Sequence, residues 1–359
     1  MQRVGGINTY FAGLIGSLPA ETIPYITCTG APDNLPINSH QHLFRCNRFA
    51  FRPGRLAYWL EKYYFRAVES WVAPDLVHPT FYRTLTRRYD RISPTPYVLT
   101  VWDFLHDHYP SQLDREGTWR PHVGRMINGA EALLCISNHT KQELLERYPH
   151  VASRAFVTRL ATTLTRSIST SSELTLPPYL LYVGGRAGYK NFSTALMAFT
   201  IIARETPDLE FVVVGSPWSE EENRSIASSN ARHRIRLETG VTNDRLASLY
   251  TGAVALLYTS EHEGFGLPAL EAAACSCPVI ASSGTSIPEI LGNYPLLCDT
   301  KSVDAVVERI GAVLKSSSLR EQAVLEGENR SRLFSWRATA DSTNAIYRKV
   351  LGISKGGVS

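Results

Sequence analysis

An α/β protein of two Rossmann-like domains facing each other across a cleft is the fold class that three observations predict. Short apolar runs alternate with helical periodicity along the whole chain, the pattern of parallel strands joined by crossover helices. The 359 residues, 44% of them hydrophobic, suffice for two cores at the usual allotment of roughly 150 residues per domain. A Ser/Thr/Pro-rich stretch from Thr165 to Pro178 interrupts that alternation near the middle, as a linker would.

Each strand is expected where a run of β-branched, aromatic and leucine side chains is bounded by turn residues. In the first half these runs are Tyr25 to Cys28, Tyr97 to Val101 and Ala132 to Ile136. In the second they are Leu180 to Val183, Phe211 to Val214, Ala255 to Tyr258 and Val279 to Ala281. The domains are therefore placed at 1–165 and 179–335, with a linker at 166–178. Ligands of such sheets bind at the carboxyl ends of the strands, so Trp102, Gly184, Gly215 and Ser260, which follow strands, point to the cleft.

Bulk properties narrow the class. No apolar run approaches the ~20 residues that span a bilayer, and the N-terminus lacks the succession of a signal peptide, so the cytoplasm is the expected compartment. The six cysteines include no C-x-x-C pair, which favours buried free thiols over zinc or disulfides. Net charge is only +4, yet residues 41–90 hold nine Lys or Arg against four Asp or Glu. Within that segment Tyr58, Trp59, Tyr63, Tyr64, Phe65 and Trp71 interleave with basic residues. Such a stretch could make peripheral contact with an anionic membrane; equally, it could be an amphipathic helix that uses its aromatic stripe as core. No Lys/Arg cluster or recognition motif supports nucleic-acid binding.

The segment Glu263-Gly264-Phe265-Gly266-Leu267-Pro268-Ala269-Leu270-Glu271 carries the most chemistry. Gly264 and Gly266 permit a tight turn and close approach to a ligand, and Pro268 suits a first helical position. The unpaired N–H groups of Gly266 and Leu267 then form a positive helix end suited to phosphate. Glu271, in the first turn, is held by the same dipole and can accept from hydroxyls. The alternative is a capped core helix whose acids are incidental.

A second loop follows the Leu180 to Val183 run: Gly184-Gly185-Arg186-Ala187-Gly188-Tyr189-Lys190-Asn191. Arg186 offers a bidentate fork and Lys190 a compact cation, two ways of holding a diphosphate; as solvated surface charges they would leave the glycine pair unexplained. The loop fails the G-x-x-x-x-G-K-[ST] spacing of a P-loop, because Tyr189 precedes Lys190 and Asn191 stands where a hydroxyl residue belongs. In the first half, Asp103 follows a strand as a candidate acceptor positioner or base. His106 is a weaker candidate, and Ser137 is expected to cap a helix. Gly5 and Gly6 precede a helix over Ile7 to Leu14 and let backbone approach a ligand.

Together these segments resemble the retaining glycosyltransferases of the GT-B fold, in the mannosyl- and glucosyltransferase-like family 4 (group 1). The matching stretches are V-G-G-I-N-T-Y at 4–10, H-P-T-F-Y at 78–82, T-V-W-D-F-L-H-D at 100–107, I-S-N-H-T-K at 136–141, Y-V-G-G-R-A-G-Y-K-N at 182–191, the E-x-x-x-x-x-x-x-E segment and F-S-W at 334–336. The resemblance implies catalytic roles for Glu263, Arg186, Lys190 and Asp103. It implies nucleotide-sugar contacts from Gly5, Gly6, Gly185, Gly264, Phe265, Gly266, Leu267 and Glu271, with Glu263 facing the sugar and Glu271 the ribose hydroxyls. It also implies that the last helix, 336–359, crosses back to the first domain. No D-x-D occurs in the chain, whereas metal-dependent GT-A enzymes use one, so neither metal nor cofactor is expected.

Two departures from the family stand out. Trp102 occupies a position where relatives carry His or Tyr, and only Met1 to Val4 precede Gly5 where relatives have a full strand, so the first sheet is expected to be short of a central strand. The reaction implied is transfer of a hexose, mannose before others, from a nucleotide diphosphate sugar to a hydroxyl of a saccharide or lipid-linked saccharide during surface polysaccharide synthesis. The alternatives are a sugar-nucleotide epimerase, a phosphorylase of related fold, and a degenerate sugar-nucleotide-binding protein.

Overall fold

The structure is a computed structural model that describes residues 6–29, 41–46, 54–82, 95–167, 177–186 and 188–353. It divides into a first unit, Met1–Ala161 with Ser335–Ser359, and a second unit, Thr162–Phe334.

In the first unit, helix α1 (Gly6–Ser17) precedes strands β1 (Tyr25–Thr29) and β2 (His42–Cys46), which pair in parallel. Helix α2 (Gly54–Val72) leads to strand β3 (Val98–Val101), short helices α3 (Leu105–His108) and α4 (Pro110–Leu113), and helix α5 (Trp119–Gly129). Strand β4 (Ala132–Cys135), helix α6 (Asn138–Arg147) and strand β5 (Ala155–Val157) follow. Strands β3, β4 and β5 form one parallel sheet, extended by a parallel bridge from Val77 to Tyr97. Among the described residues the strands thus fall into two separate sheets rather than one. Every residue of β3 and β4 is buried, because helices cover both faces of a parallel sheet. Ser137 accepts from the Thr140 N–H at 2.9 Å and caps α6.

The second unit is a six-stranded, all-parallel sheet. Its strands are β6 (Tyr179–Val183), β7 (Glu210–Val214), β8 (Ile235–Glu238), β9 (Ala255–Tyr258), β10 (Val279–Ser282) and β11 (Leu297–Cys298), in the spatial order β11-β10-β9-β6-β7-β8. The crossovers are α7 (Phe192–Ile202), α8 (Glu220–Ala227), α9 (Asn243–Gly252), α10 (Leu267–Ala274) and α11 (Ile287–Leu291), followed by α12 (Val303–Lys315) and α13 (Ser317–Ser331). The order reverses between β6 and β9, which are neighbours although two other strands, β7 and β8, come between them in the chain. That is the kind of switch point at which such sheets open a crevice.

The last helix, α14 (Trp336–Val350), belongs to the first unit. Its Ile346 joins Val98, Ala132 and Leu134 in one apolar cluster, and the Trp336 ring lies on Gly13 of α1 so closely that a Cβ there would come within 2.2 Å of it. Trp102 is buried, its ring edge-on to Tyr10 at 5.1 Å, so it is a core residue of this unit. Cys28, Cys135, Cys275, Cys277 and Cys298 are free and buried. No helix among the described residues is long and apolar enough to cross a membrane.

His78 ties α14 to the sheet. Its Nδ1 lies 2.6 Å from the Tyr347 hydroxyl and its Nε2 2.7 Å from the Thr100 hydroxyl. Burial pushes its pKa down to about 3. The unfolded chain, with an ordinary value near 6.5, takes up this proton first. Stability is therefore fully present well above pH 6.5 and falls as pH drops toward 3, by at most about 1.4 kcal/mol per pH unit. Thermal unfolding from pH 7.5 to pH 5 is expected to show this slope, and His78→Gln to flatten it.

Candidate active site

The two loops singled out by sequence leave adjacent strands. Val183 of β6 runs into Gly184 (φ +124°), Gly185 and Arg186, then a 3-10 turn over Gly188–Lys190, while Tyr258 of β9 runs into Thr259 to Gly266. Because β6 pairs with β9, the Lys190 ammonium reaches the Glu263 carboxylate at 2.6 Å. Asn191, in left-handed backbone at φ +51°, receives a hydrogen bond on its carbonyl from the Thr259 hydroxyl at 2.8 Å and so stitches the loops together. Tyr182 hydrogen-bonds the Gly185 carbonyl at 2.8 Å.

Glu263 is held from several sides. Tyr258 is a further hydrogen-bond partner of its carboxylate, and the buried Ser286 hydroxyl reaches the carbonyls of Glu263 and Phe265 at 2.9 and 2.6 Å. Helix α10 begins at Leu267, so Pro268 occupies its second position rather than its first. Gly266, at φ +108°, is its N-cap; side chains rarely adopt that backbone, and a Cβ there would also push on the Ile287 Cδ1 atom 2.6 Å away, so any substitution is strained. Phe265 is buried, with its ring 5.9 Å from that of Phe334, and therefore shapes the loop rather than lining an open face.

Glu271 receives a hydrogen bond from the Tyr250 hydroxyl at 3.0 Å. Burial raises its pKa to about 7, and the Tyr250 bond offsets only part of that. A carboxyl balanced between its two forms near neutrality thus sits one turn into the helix.

Arg186 is engaged differently from the expectation for a phosphate ligand. Its Nε and Nη2 grip Glu222 at 2.6 and 3.1 Å, and Nη2 also donates to the carbonyls of Ser216 and Pro217 at 2.9 and 3.0 Å. The guanidinium stacks over Trp218 at 4.6 Å. Burial acts to raise the Glu222 pKa, but the Arg186 fork and the Ser219 contacts outweigh it and hold the carboxyl below its usual value. Glu222 also closes a capping box with Ser219 at the start of α8.

The first-unit candidates are described by themselves. Asp103 Oδ1 accepts from the Leu105 N–H at 3.1 Å, at the start of α3. His106 stacks on Trp119 with ring centroids 4.4 Å apart, a packing role. Asp107 receives Arg147 at 2.9 Å and also pairs with Arg120. Gly6 opens α1 with open space where a Cβ would stand, and Gly5 lies outside the described residues. The structure gathers Lys190 and Glu263 into one ion pair, with Gly264, Gly266 and Leu267 on the adjoining turn. Sequence reasoning missed Ser286, Tyr250, Tyr258 and Glu222; of these only Glu222 carried a local signal, its S-x-x-E spacing from Ser219.

A carboxylate, an ammonium and a glycine-capped helix thus meet at the carboxyl edge of a doubly wound sheet, and comparison with known proteins gives the class of the chain that carries them: it is a glycosyltransferase. The family described as glycosyl transferases group 1 matches residues 167–330, and glycosyltransferase family 4 matches residues 4–159. The chain belongs to the family 4, group 1 glycosyltransferases and has their GT-B fold. It is 28% identical over 283 residues to O-antigen chain mannosyltransferase B of Escherichia coli, covering 75% of this chain and 73% of that one. An α-(1→4)-mannosyltransferase of Mycolicibacterium hassiacum is 32% identical over 150 residues, 40% of this chain and 36% of its own. Among solved structures, sucrose-phosphate synthase from Thermosynechococcus elongatus superposes with a TM-score of 0.76 at 21% identity, over 98% of this chain and 95% of that one. Anabaena HepE in complex with UDP and glucose gives 0.73 at 14% identity, over 96% of each chain.

Proposed function

We propose that this glycosyltransferase is a retaining, metal-independent enzyme of the cytoplasm that moves mannose from a nucleotide diphosphate sugar to a saccharide hydroxyl in surface polysaccharide synthesis. The observation that carries the reading is the 2.6 Å pairing of Lys190 with Glu263 beside the N-terminus of α10. Breaking the anomeric C–O bond places negative charge on the departing diphosphate and positive charge on the sugar ring. In this reading Lys190 and the Gly266 and Leu267 N–H groups at the start of α10 receive the former, and Glu263 the latter. Arg186, paired with Glu222, orders the loop that carries Lys190, and Glu271 accepts from the ribose hydroxyls. As the anomeric C–O bond breaks, the acceptor oxygen bonds to the same face of the sugar and its proton passes to the leaving phosphate, so orientation matters more than a strong base.

Mannose is favoured by the similarity to mannosyltransferases. Metal independence is favoured by cationic side chains in place of any D-x-D. A panel of GDP-, UDP-, ADP- and dTDP-sugars, scored by binding and slow hydrolysis and then with saccharide acceptors, tests it. Transfer from a mannosyl donor that persists in EDTA, with the donor's anomeric configuration kept in the product by NMR, is the expected result. An inverted product, or conversion of the sugar nucleotide without an acceptor, overturns it.

A further inference from the structure

Among the described side chains of α2, Leu60, Glu61 and those at 63–72, the apolar stripe is the one turned to solvent. Leu60, Tyr63, Tyr64, Ala67 and Trp71 recur at the spacing of one helical stripe. Their exposures are 41% for Leu60, 50% for Tyr63, 37% for Tyr64 and 75% for Trp71. The other side of the helix buries Phe65 and, unexpectedly, Glu61. A soluble helix ordinarily reverses this arrangement, packing its aromatic stripe and hydrating its acid.

The stripe continues beyond the helix. Trp71 meets Phe44 of β2 edge-on at 5.8 Å, Phe44 lies 6.3 Å from Tyr25 of β1, and Tyr25 stacks on His42 at 4.8 Å. Tyr25 is 44% exposed. The patch is therefore contiguous across three elements, α2, β2 and β1, larger than scattered surface apolar residues account for.

Its composition selects the occupant. Tyrosine and tryptophan supply an apolar body with a polar tip, the combination suited to a boundary between hydrocarbon and water rather than to a dry protein interface. Exposed Arg45 and Arg66 flank the stripe, whereas Glu61 is turned inward and Glu69 is half-buried. The surface thus presents cations and aromatic rings together, complementary to a negatively charged layer.

We propose that the α2 stripe, with Phe44 and Tyr25, is a docking surface by which this enzyme rests on an anionic lipid bilayer, the rings entering the headgroup zone and Arg45 and Arg66 pairing with lipid phosphates. The surface belongs to the first unit and the Lys190–Glu263 pair to the second, and the proposal does not depend on which sugar is transferred.

Flotation of the full chain tests it, with vesicles of phosphatidylcholine alone and of a phosphatidylcholine and phosphatidylglycerol mixture. The wild type floats with the mixed vesicles at low salt and is released at high salt. The triple variant Tyr63→Ser, Tyr64→Ser, Trp71→Ser binds at least tenfold more weakly, with unchanged circular dichroism, as these side chains are exposed. Arg45→Gln and Arg66→Gln each weaken binding about fivefold, the equivalent of one surface cation. A wild type that stays unbound with the anionic vesicles, or a triple variant that floats like it, overturns the proposal. Concentration-dependent dimerisation abolished by the triple variant, without vesicle binding, assigns the patch to a second copy of the chain and equally overturns it.

Discussion

Lys190→Ala is expected to lower the transfer rate at saturating donor roughly 10²- to 10³-fold, the loss typical of one preorganised donor to a developing anion. Lys190 is also the 2.6 Å partner of Glu263, so its removal leaves that carboxylate without its cation in a nearly buried setting. The variant should therefore lose about 1–3 kcal/mol of stability as well. Glu263→Ala should abolish measurable transfer while removing the same ion pair from the opposite side. In the double variant no unpaired charge is left, so its loss of stability should be smaller than the sum of the single losses; this departure from additivity is the signature of direct coupling. Single-turnover rates and thermal unfolding of the three variants measure both effects. Wild-type turnover in Lys190→Ala would remove it from the chemistry. Arg186→Ala provides a contrast: its guanidinium holds Glu222 and two carbonyls, so its loss should cost stability even where donor binding is not measured.

Glu271→Gln is expected to push binding and stability in opposite directions. With its pKa raised to about 7 by burial, this carboxyl takes up a proton in the folded state that the unfolded chain has released above about pH 4.5. The folded state therefore loses stability as pH rises from 4.5 to 7, and the loss is complete above the folded pKa. The amide has no such cost, so Glu271→Gln should be more stable than wild type at pH 8, by roughly 1–3 kcal/mol. Donor affinity should behave in reverse. The ionised carboxylate is the better acceptor for ribose hydroxyls, so wild-type affinity should climb as pH rises through 7, while the amide variant shows weak, flat binding. Titration of donor affinity from pH 6 to 8.5, beside thermal unfolding at the same values, checks the pair. A wild-type affinity independent of pH would separate Glu271 from the ribose.

The strands that form the centre of each sheet could be read in the chain because burial on both faces makes them uniformly apolar, as in Ala132–Cys135 and Ala255–Tyr258. The strands that escaped were β2, β5, β8 and β11. Arg45 in β2, and Arg236 and Glu238 in β8, break the apolar run because one face or edge meets water, and a two-residue strand such as Leu297–Cys298 has no period to detect. At the site, glycines and opposite charges marked the two loops, since their conformations depend on nearby residues. Their partners were illegible, because Ser286 meets Glu263 and Tyr250 meets Glu271 only through strand order. Arg186 illustrates the limit: its charge was plain, but Glu222, 36 residues on, decides where the fork points.

The packing of α14 makes the first unit discontinuous in sequence, and this bears on the order of synthesis. Ile346 closes the cluster around β3 and β4, Trp336 covers Gly13, and Tyr347 meets His78. Those apolar surfaces must wait, uncovered, while all of Thr162 to Phe334 emerges from the ribosome, although domains otherwise tend to fold from the N-terminal end as they are made. The first unit therefore cannot complete its core until α14 has been made and has left the ribosome.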